Sequence, residues 1–388
     1  MNLFIKIYIL LCLALIIFDL AFLIFKTIKY LEFYSGNSRL KSKICSEITL
    51  HRETGSFTPG FTEELSRMLT RTKNLITLHS ELERNQDMAN LFRPIIFEQI
   101  GIYLQKSDYE QAFYAYVVSS FDYSNAPLPP EFASHFVTFL DSKSLYTFSN
   151  TMNAIFCFGQ MNILLFAIDK ANERGTFYHK KLLTDGLLAS RVDQAQMVNE
   201  LTKRFYQYSS HIQECLIDVF RMGKGDSSTL CIELMTSRSS DEQVRYSAMR
   251  YFSKQPTPLS REYFLSILKT NDADWIEHML AIQALNCYRD AEVYQMIKSK
   301  ATSHHWYVRT NALEYLHSLE ISREEISEIL GTHDRYASEA LLYQYRDDHE
   351  MTLFIINTIQ NSLLPFGLVY YYPTNRSSKS LELSFIPI

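Results

Sequence analysis

Residues 212–220 (IQECLIDVF), 244–252 (VRYSAMRYF), 276–284 (IEHMLAIQA) and 308–316 (VRTNALEYL) decide how this chain is read, and each begins 32 residues after the one before. Laid over one another, the first position reads Ile212, Val244, Ile276, Val308. Four residues on stand Leu216, Ala248, Leu280 and Ala312, followed at once by Ile217, Met249, Ala281 and Leu313. Eight residues on stand Phe220, Phe252, Ala284 and Leu316. Offsets 0, 4, 5 and 8 share one face of a helix, so each stretch predicts an amphipathic helix. The equal step says more than the stripe, because unrelated helices have no reason to keep register.

Working outward, a second short apolar segment follows each stretch: residues 230–235, 263–268, 293–297 and 326–330. Start signals precede several of them. Ser322 with Glu325 spells a capping box, and Ser239, Ser240 and Asp241 offer an N-cap before Val244. The unit is helix–turn–helix. One such pair cannot bury both of its apolar faces, so it must stack on its neighbours.

Residues 241–248 (DEQVRYSA) and 306–313 (WYVRTNAL) resemble the first-helix pattern of the HEAT-repeat family, in which an acidic or aromatic lead-in precedes V-R-x-x-A. The resemblance covers about residues 205–350. It implies an all-α fold, with helix pairs arranged as a right-handed α-α superhelix. Two units depart from the pattern, with Glu277 and Gln213 where the Arg would stand. Stacking brings equivalent positions side by side, so Glu277 is expected between Arg245 and Arg309 in a plus–minus–plus ladder. The family also includes DNA glycosylases and bilin lyases, so the resemblance alone does not exclude catalysis.

Upstream, residues 150–159 (NTMNAIFCFG) resemble a further first helix, with Ala154 in the place of Ala312. From Asn150 to Ile212 is 62 residues, nearly two steps, which leaves room for a degenerate unit containing residues 182–188. Leu65, Met68, Leu69, Leu75, Ile76 and Leu82 form one stripe, and residues 109–121 another. Residues 61–204 are therefore expected to be degenerate helical repeats. The prolines of residues 125–130 mark a loop, and residues 54–60 a second break inside an expected linker over 31–60. Beyond 333, Tyr336 and Ala340 suggest a shorter repeat, and residues 351–388 a cap helix with an extended tail.

Residues 7–25 run uninterrupted between Lys6 and Lys26 with Asp19 as the one charge. A helix of about 19 residues rises about 28 Å, the thickness of a bilayer's hydrocarbon core. Phe25, Lys26, Thr27, Ile28 and Lys29 make a poor cleavage site, which favours a retained anchor over a signal peptide. Lys26, Lys29, Arg39, Lys41 and Lys43 follow the span, which places the body on the cytoplasmic side. Asp19 within the span either faces a membrane partner or stays protonated in lipid, and the sequence leaves both readings open.

Apolar residues make up 47% of the chain, enough to bury a core, while 11 glycines and 10 prolines are too few for a hairpin-rich protein. A net charge of −5 argues against general nucleic-acid binding. Arg245, Arg250, Lys254 and Arg261 cluster, but Glu242 and Glu262 flank them. The six cysteines are scattered without a C-x-x-C and are expected to be free thiols. No phosphate loop, dinucleotide fingerprint, H-E-x-x-H or nucleophile elbow occurs. His304 and His305 are adjacent and so point apart, which suits an inter-repeat turn with Trp306 packed on its neighbour better than a metal site.

The sequence thus leads to a scaffold that binds a protein partner, itself a membrane protein, and does no chemistry. Asp19, Arg245, Glu277, Trp306 and Arg309 are the expected contact residues. No catalytic, cofactor or metal site and no nucleic-acid partner is expected. Anchored HEAT proteins of this layout resemble accessory subunits of bacterial membrane glycosyltransferases, which implies a setting in polysaccharide assembly. An enzyme of the helical-repeat type and an exported binding solenoid are the other readings.

Overall fold

The computed structural model describes residues 3–123, 128–174, 178–237, 241–270, 273–363, 368–371 and 384–387. Within these, the side chains of residues 3–14, 25, 27–37, 362–363 and both terminal strands lie outside the description. So do the side chains of Cys12 and Lys29, and Ser239, Ser240 and residues 125–127 of the loop expected over 125–130. Among the described residues the protein is all-helical apart from two short antiparallel strands, β1 (Leu368–Tyr371) and β2 (Ser384–Pro387), that pair with each other after the last helix. The chain divides into two compact units, residues 1–177 with 189–193 and residues 178–188 with 194–388.

Unit 1 holds α1 (Leu3–Thr54), α2 (Phe61–Leu69), α3 (Thr72–Leu82), α4 (Gln86–Phe97) and α5 (Ile100–Tyr103). It continues with α6 (Asp108–Ser119), α7 (Pro130–Phe136), α8 (Leu145–Phe158) and α9 (Met161–Glu173). Helices α1, α3, α6 and α8 pack in series, with α2 against α4 and α5 against α7 beside them. The single stripe expected from Leu65 to Leu82 is broken between Leu69 and Thr72 into α2 and α3. The linker expected over 31–60 is helix as far as Thr54, with Leu40, Ile44 and Ile48 buried. Only residues 55–60 are left as loop, and positive φ at Gly55 and Gly60 explains why glycine stands at both ends. Glu47 is buried because its carboxylate accepts the Thr58 amide of that loop at 2.9 Å.

Unit 2 begins with α10 (Lys180–Ala189) and α11 (Gln194–Arg204). Five helix pairs follow: α12 (Ser210–Met222) with α13 (Ser228–Thr236), α14 (Glu242–Tyr251) with α15 (Pro258–Lys269), α16 (Trp275–Leu285) with α17 (Ala291–Lys298), α18 (Trp306–His317) with α19 (Arg323–Leu330), and α20 (Arg335–Gln344) with α21 (His349–Leu363). The four stretches spaced by 32 residues are the first helices α12, α14, α16 and α18, which pack one on the next and then on α20. Every position of the apolar stripe is buried except Ile276, which is half-buried. The four short segments fall within α13, α15, α17 and α19. Asp241 caps α14 through the amides of Gln243 and Val244, and Ser322 with Glu325 closes the capping box of α19.

The fifth step differs. The buried stripe of α20 is Ala337, Leu341, Leu342 and Tyr345, while Tyr336 is exposed and Ala340 half-buried. The step therefore shortens to 29 residues, and the Tyr336/Ala340 register expected from sequence is displaced. The reason is the loop before it, where Gly331 ends α19 and His333 takes a positive φ of 54° to turn into α20. Rungs between successive pairs repeat along the unit. The Tyr288 hydroxyl donates to the Thr257 carbonyl at 3.0 Å, and the Tyr315 hydroxyl to the Tyr288 carbonyl at 2.9 Å. Such phenols, Tyr315 buried and Tyr288 half-buried, combine a large apolar body with one satisfied hydrogen bond.

Candidate partner-binding site

The first turn of each first helix in unit 2 carries two columns that flank the buried stripe. One residue before the stripe stand His211, Gln243, Trp275, Tyr307 and Tyr336. One residue after its start stand Gln213, Arg245, Glu277, Arg309 and Ser338. Over the last three pairs the first column is aromatic. Trp275 lies face to face with Tyr307, ring centroids 5.4 Å apart at 16°, and with the His305 ring at 5.9 Å and 17°. Trp306 meets Tyr307 edge-on at 4.8 Å. Trp306, Tyr307 and Tyr336 nonetheless remain 58%, 52% and 59% exposed. Tyr343, two turns along α20 from Tyr336, is exposed as well.

The second column lies beneath. The Arg245 guanidinium pairs with the Glu277 carboxylate, and both are mostly buried. Arg245 also lies 5.2 Å from the centre of the Tyr246 ring. Tyr246 donates towards Glu242 at 2.8 Å and Asp274 at 3.1 Å, and burial first, then these two carboxylates, hold its phenol well above the ordinary value. It therefore stays a neutral donor between two acids. Arg309 is 3% exposed, and among the described residues no carboxylate lies within ion-pair distance of it. It donates Nη1 to the Ser303 carbonyl at 2.6 Å and lies 5.2 Å from the Tyr336 ring centre, while its enclosed Nε has no acceptor.

The expected ladder is thus half closed. Arg245 and Glu277 meet, but Arg309 turns back to the Ser303 carbonyl ahead of its own helix. Arg309 needs no acid to stay ordered, because a ring and a carbonyl hold it, yet it leaves a buried charge unpaired. Trp306 is not packed on the neighbouring repeat as expected. Trp275 fills that place by lying against Tyr307 and His305, and Trp306 is left outside. Asp19 is exposed within α1 and belongs to unit 1, so it is not a member of this cluster.

Trp275, Tyr307 and Tyr336 are functional candidates that the apolar stripe does not point to. A signal for them exists, since all three stand immediately before the stripe in consecutive repeats. It is masked because aromatic residues next to an apolar stripe read as a widening of the core face.

Two of the four clustered basic residues, Arg245 and Arg261, are spent on acids. Arg261 pairs with Glu262, Asp290 and Glu292, and Arg245 with Glu277. His278 turns its Nε2 to the Ile267 and Thr270 carbonyls rather than to Glu277. Among the described residues no group of three or more His, Cys, Asp or Glu side chains is placed to hold a metal ion. Cys215 and Cys231 are buried free thiols, both raised by desolvation, the first to about 12, while Cys45 and Cys157 are half-buried and Cys287 is exposed.

In α1, the large apolar residues Leu15, Ile16, Ile17, Phe18, Leu20, Phe22, Leu23 and Ile24 are 56–67% exposed. Among the described residues no helix is long and apolar enough to cross a membrane. Of the span expected over 7–25, the side chains of residues 7–14 and 25 lie outside the description. No family model and no curated protein matches the chain.

Proposed function

We propose that the chain is a membrane-anchored scaffold: a right-handed α-solenoid of HEAT-like helix pairs that binds a protein partner along the aromatic edge of unit 2 and does no chemistry. The observation that carries the reading is the exposed cluster of Trp306, Tyr307 and Tyr336 over Arg309. Aromatic and arginine side chains held rigid at a surface are the usual anchors of protein interfaces. Trp275 and the Arg309 guanidinium fix the rings beneath, so binding would cost little side-chain ordering.

The anchor reading is supported by the apolar residues of α1. A helix apolar on every side needs an apolar surround, and the large side chains of 15–24 are more than half exposed. Lipid supplies it, with Asp19 turned to a membrane partner and the body on the cytoplasmic side. From Ile24 to the buried Leu40 of the body, α1 runs without a break, so the anchor is a stiff strut and not a tether.

The test is capture of partners by the full chain from solubilised membranes, beside a Trp306→Ala/Tyr336→Ala variant, an Asp19→Leu variant and a form lacking residues 1–30. A partner kept by the truncated form and lost in the aromatic variant supports the edge as the binding surface. A partner lost in both the truncated form and Asp19→Leu moves recognition into the membrane. The same proteins in all four captures would sink the adaptor reading. Extraction of the full chain from membranes by carbonate would sink the anchor.

A further inference from the structure

A cleft of about 450 Å³ opens in unit 1 between α4 and α7. Its apolar sides are Pro94, Phe97, Pro129 and Phe132. Phe97 and Phe132 stack on each other with centroids 3.8 Å apart at 15° and are 6% and 4% exposed, so they close one side as a stiff apolar block. The polar residues are of both signs: Arg93 on one hand, the exposed Glu98 and Glu131 on the other, with the exposed His135 beside them, its Nδ1 at 2.7 Å from the Glu131 carbonyl.

Arg93 sets the chemistry. It is 8% exposed, yet among the described residues no carboxylate lies within ion-pair distance of it. Its guanidinium rests 5.8 Å from the Phe97 ring centre and 5.4 Å from that of Tyr123. Nη1 donates to the carbonyl of Asp122 at 3.1 Å. The carboxylate of that same residue is taken by Arg191. Among the described residues, Nε and Nη2 of Arg93 have no acceptor, and neither is sealed from solvent. A buried arginine that keeps free donors beside an open cleft is an unfinished site, since burying a cation is costly without a counter-charge.

A guanidinium with adjacent free N–H groups matches a carboxylate in a two-point contact. Glu98 and Glu131 would repel a multiply charged anion such as phosphate, and they offer acceptors to an ammonium group. Glu98 already accepts the Ser66 hydroxyl at 3.2 Å but keeps further lone pairs, and the Glu131 carboxylate stands in solvent. The apolar lining of Pro94, Phe97, Pro129 and Phe132 suits a ring. We infer that this cleft binds a small zwitterion with a flat apolar body, of the kind an aromatic amino acid presents, its carboxylate on Arg93 and its ammonium towards Glu131 and Glu98.

The experiment titrates the full chain in detergent micelles with three probes that dissect the charge pattern: L-phenylalanine, phenylacetate and phenethylamine. Calorimetry and saturation-transfer NMR read the affinities. Phenylalanine should bind tightest, and Arg93→Gln should weaken phenylalanine and phenylacetate alike by about tenfold or more, as loss of a charged hydrogen bond requires. Because Arg93 is buried, that variant is checked by circular dichroism. Glu131→Gln, at an exposed position, supplies an independent reading. It should weaken phenylalanine about threefold to fivefold and leave phenylacetate unchanged. No saturable binding of any probe would overturn the site. Equal binding of phenylalanine and phenylacetate, or no effect of Glu131→Gln, would overturn the zwitterion assignment.

Discussion

Unit 2 and unit 1 are built from the same material, short apolar helices in alternating contact, but they keep time differently. In unit 2 the buried stripes of α12, α14, α16 and α18 start 32 residues apart, and the Arg245–Glu277 rung keeps that interval. In unit 1 the equivalent rungs run from 32 for Ser66–Glu98 to 39 for Thr147–Asp108, with 38 for both Thr72–Glu110 and Asn150–Ala112. Helix lengths diverge too. The first helices of unit 2 have 10 to 13 residues, whereas unit 1 mixes the 4 residues of α5 with the 14 of α8. Alternate packing thus survives an irregular step, because burial asks only for an apolar face opposite another. A readable repeat asks for the step as well.

The sharpest way to break this comparison is a core truncation in each unit. Phe252, buried beside Tyr251 and Phe264, closes the stripe of α14. Phe252→Ala should cost about 3–5 kcal/mol. In a stack whose stability sums over neighbours, amide exchange should speed up in α14 and in α12, α13 and α16, which touch it, while α20 keeps its protection. Uniform loss across unit 2 would mean a single globular core. The next effect is smaller. Ala312 in α18 and Ala154 in α8 are both wholly buried where neighbouring helices meet. Leucine at either position should cost about 1–3 kcal/mol by overpacking. A penalty at Ala312 alone, measured by denaturant midpoint, would show that α8 is not built on the same plan as α18.

That pair also shows how far the fold is legible in the sequence. The stripe from Ile212 to Leu316 specifies four helices and their partners because each apolar residue recurs at a constant interval. Ala154 stands out only through its local setting, and α8 does end at Gly159, whose positive φ of 70° stops the helix. The break between α2 and α3 is not legible. The apolar spacing runs on through Thr70 and Arg71, and only the Asn74 amide, which reaches back to the Met68 carbonyl at 2.7 Å, reveals the turn. The candidate site is half legible. Arg245, Glu277 and Arg309 follow from the repeat, but whether an arginine pairs with the acid in the next helix or with its own loop depends on distances no pattern encodes. The aromatic column keeps the same 32-residue spacing from Trp275 to Tyr307, so it is written in the repeat, but exposure alone separates it from core.

Two predictions of about 1 kcal/mol set a charged group in one unit against one in the other. Arg309→Met removes an unpaired buried cation and keeps the volume, so stability should hold or rise by about 1 kcal/mol while partner capture falls. A loss of stability would make the arginine structural. In unit 1, Glu110 is held at about 2 by the Thr72 hydroxyl first, then by Lys106 and Ser107. A carboxyl depressed in the folded state contributes stability that is complete above its unfolded value and lost as pH falls through the folded one. Denaturation should therefore ease between about pH 4.5 and pH 2, by about 1 kcal/mol for so partly exposed a group. Glu110→Gln should flatten that slope, and an unchanged slope would remove Glu110 from the account.

The smallest effect decides the most about the half-closed ladder. Arg245 and Glu277 are 20% and 14% exposed, so their attraction is partly offset by desolvation, and a double-mutant cycle through Arg245→Met and Glu277→Gln should return about 0.5–1 kcal/mol of coupling. The matching cycle through Arg309→Met and Glu277→Gln should return about zero, within the few tenths that distant sites show. Those two values together describe a rung that joins α14 to α16 and stops there, leaving Arg309 for the Tyr336 ring and for a partner. Equal coupling in both cycles would mean that Arg309 swings to Glu277 in solution. The aromatic edge would then lose the cation beneath Tyr336, and the case for Arg309 as a contact residue would go with it.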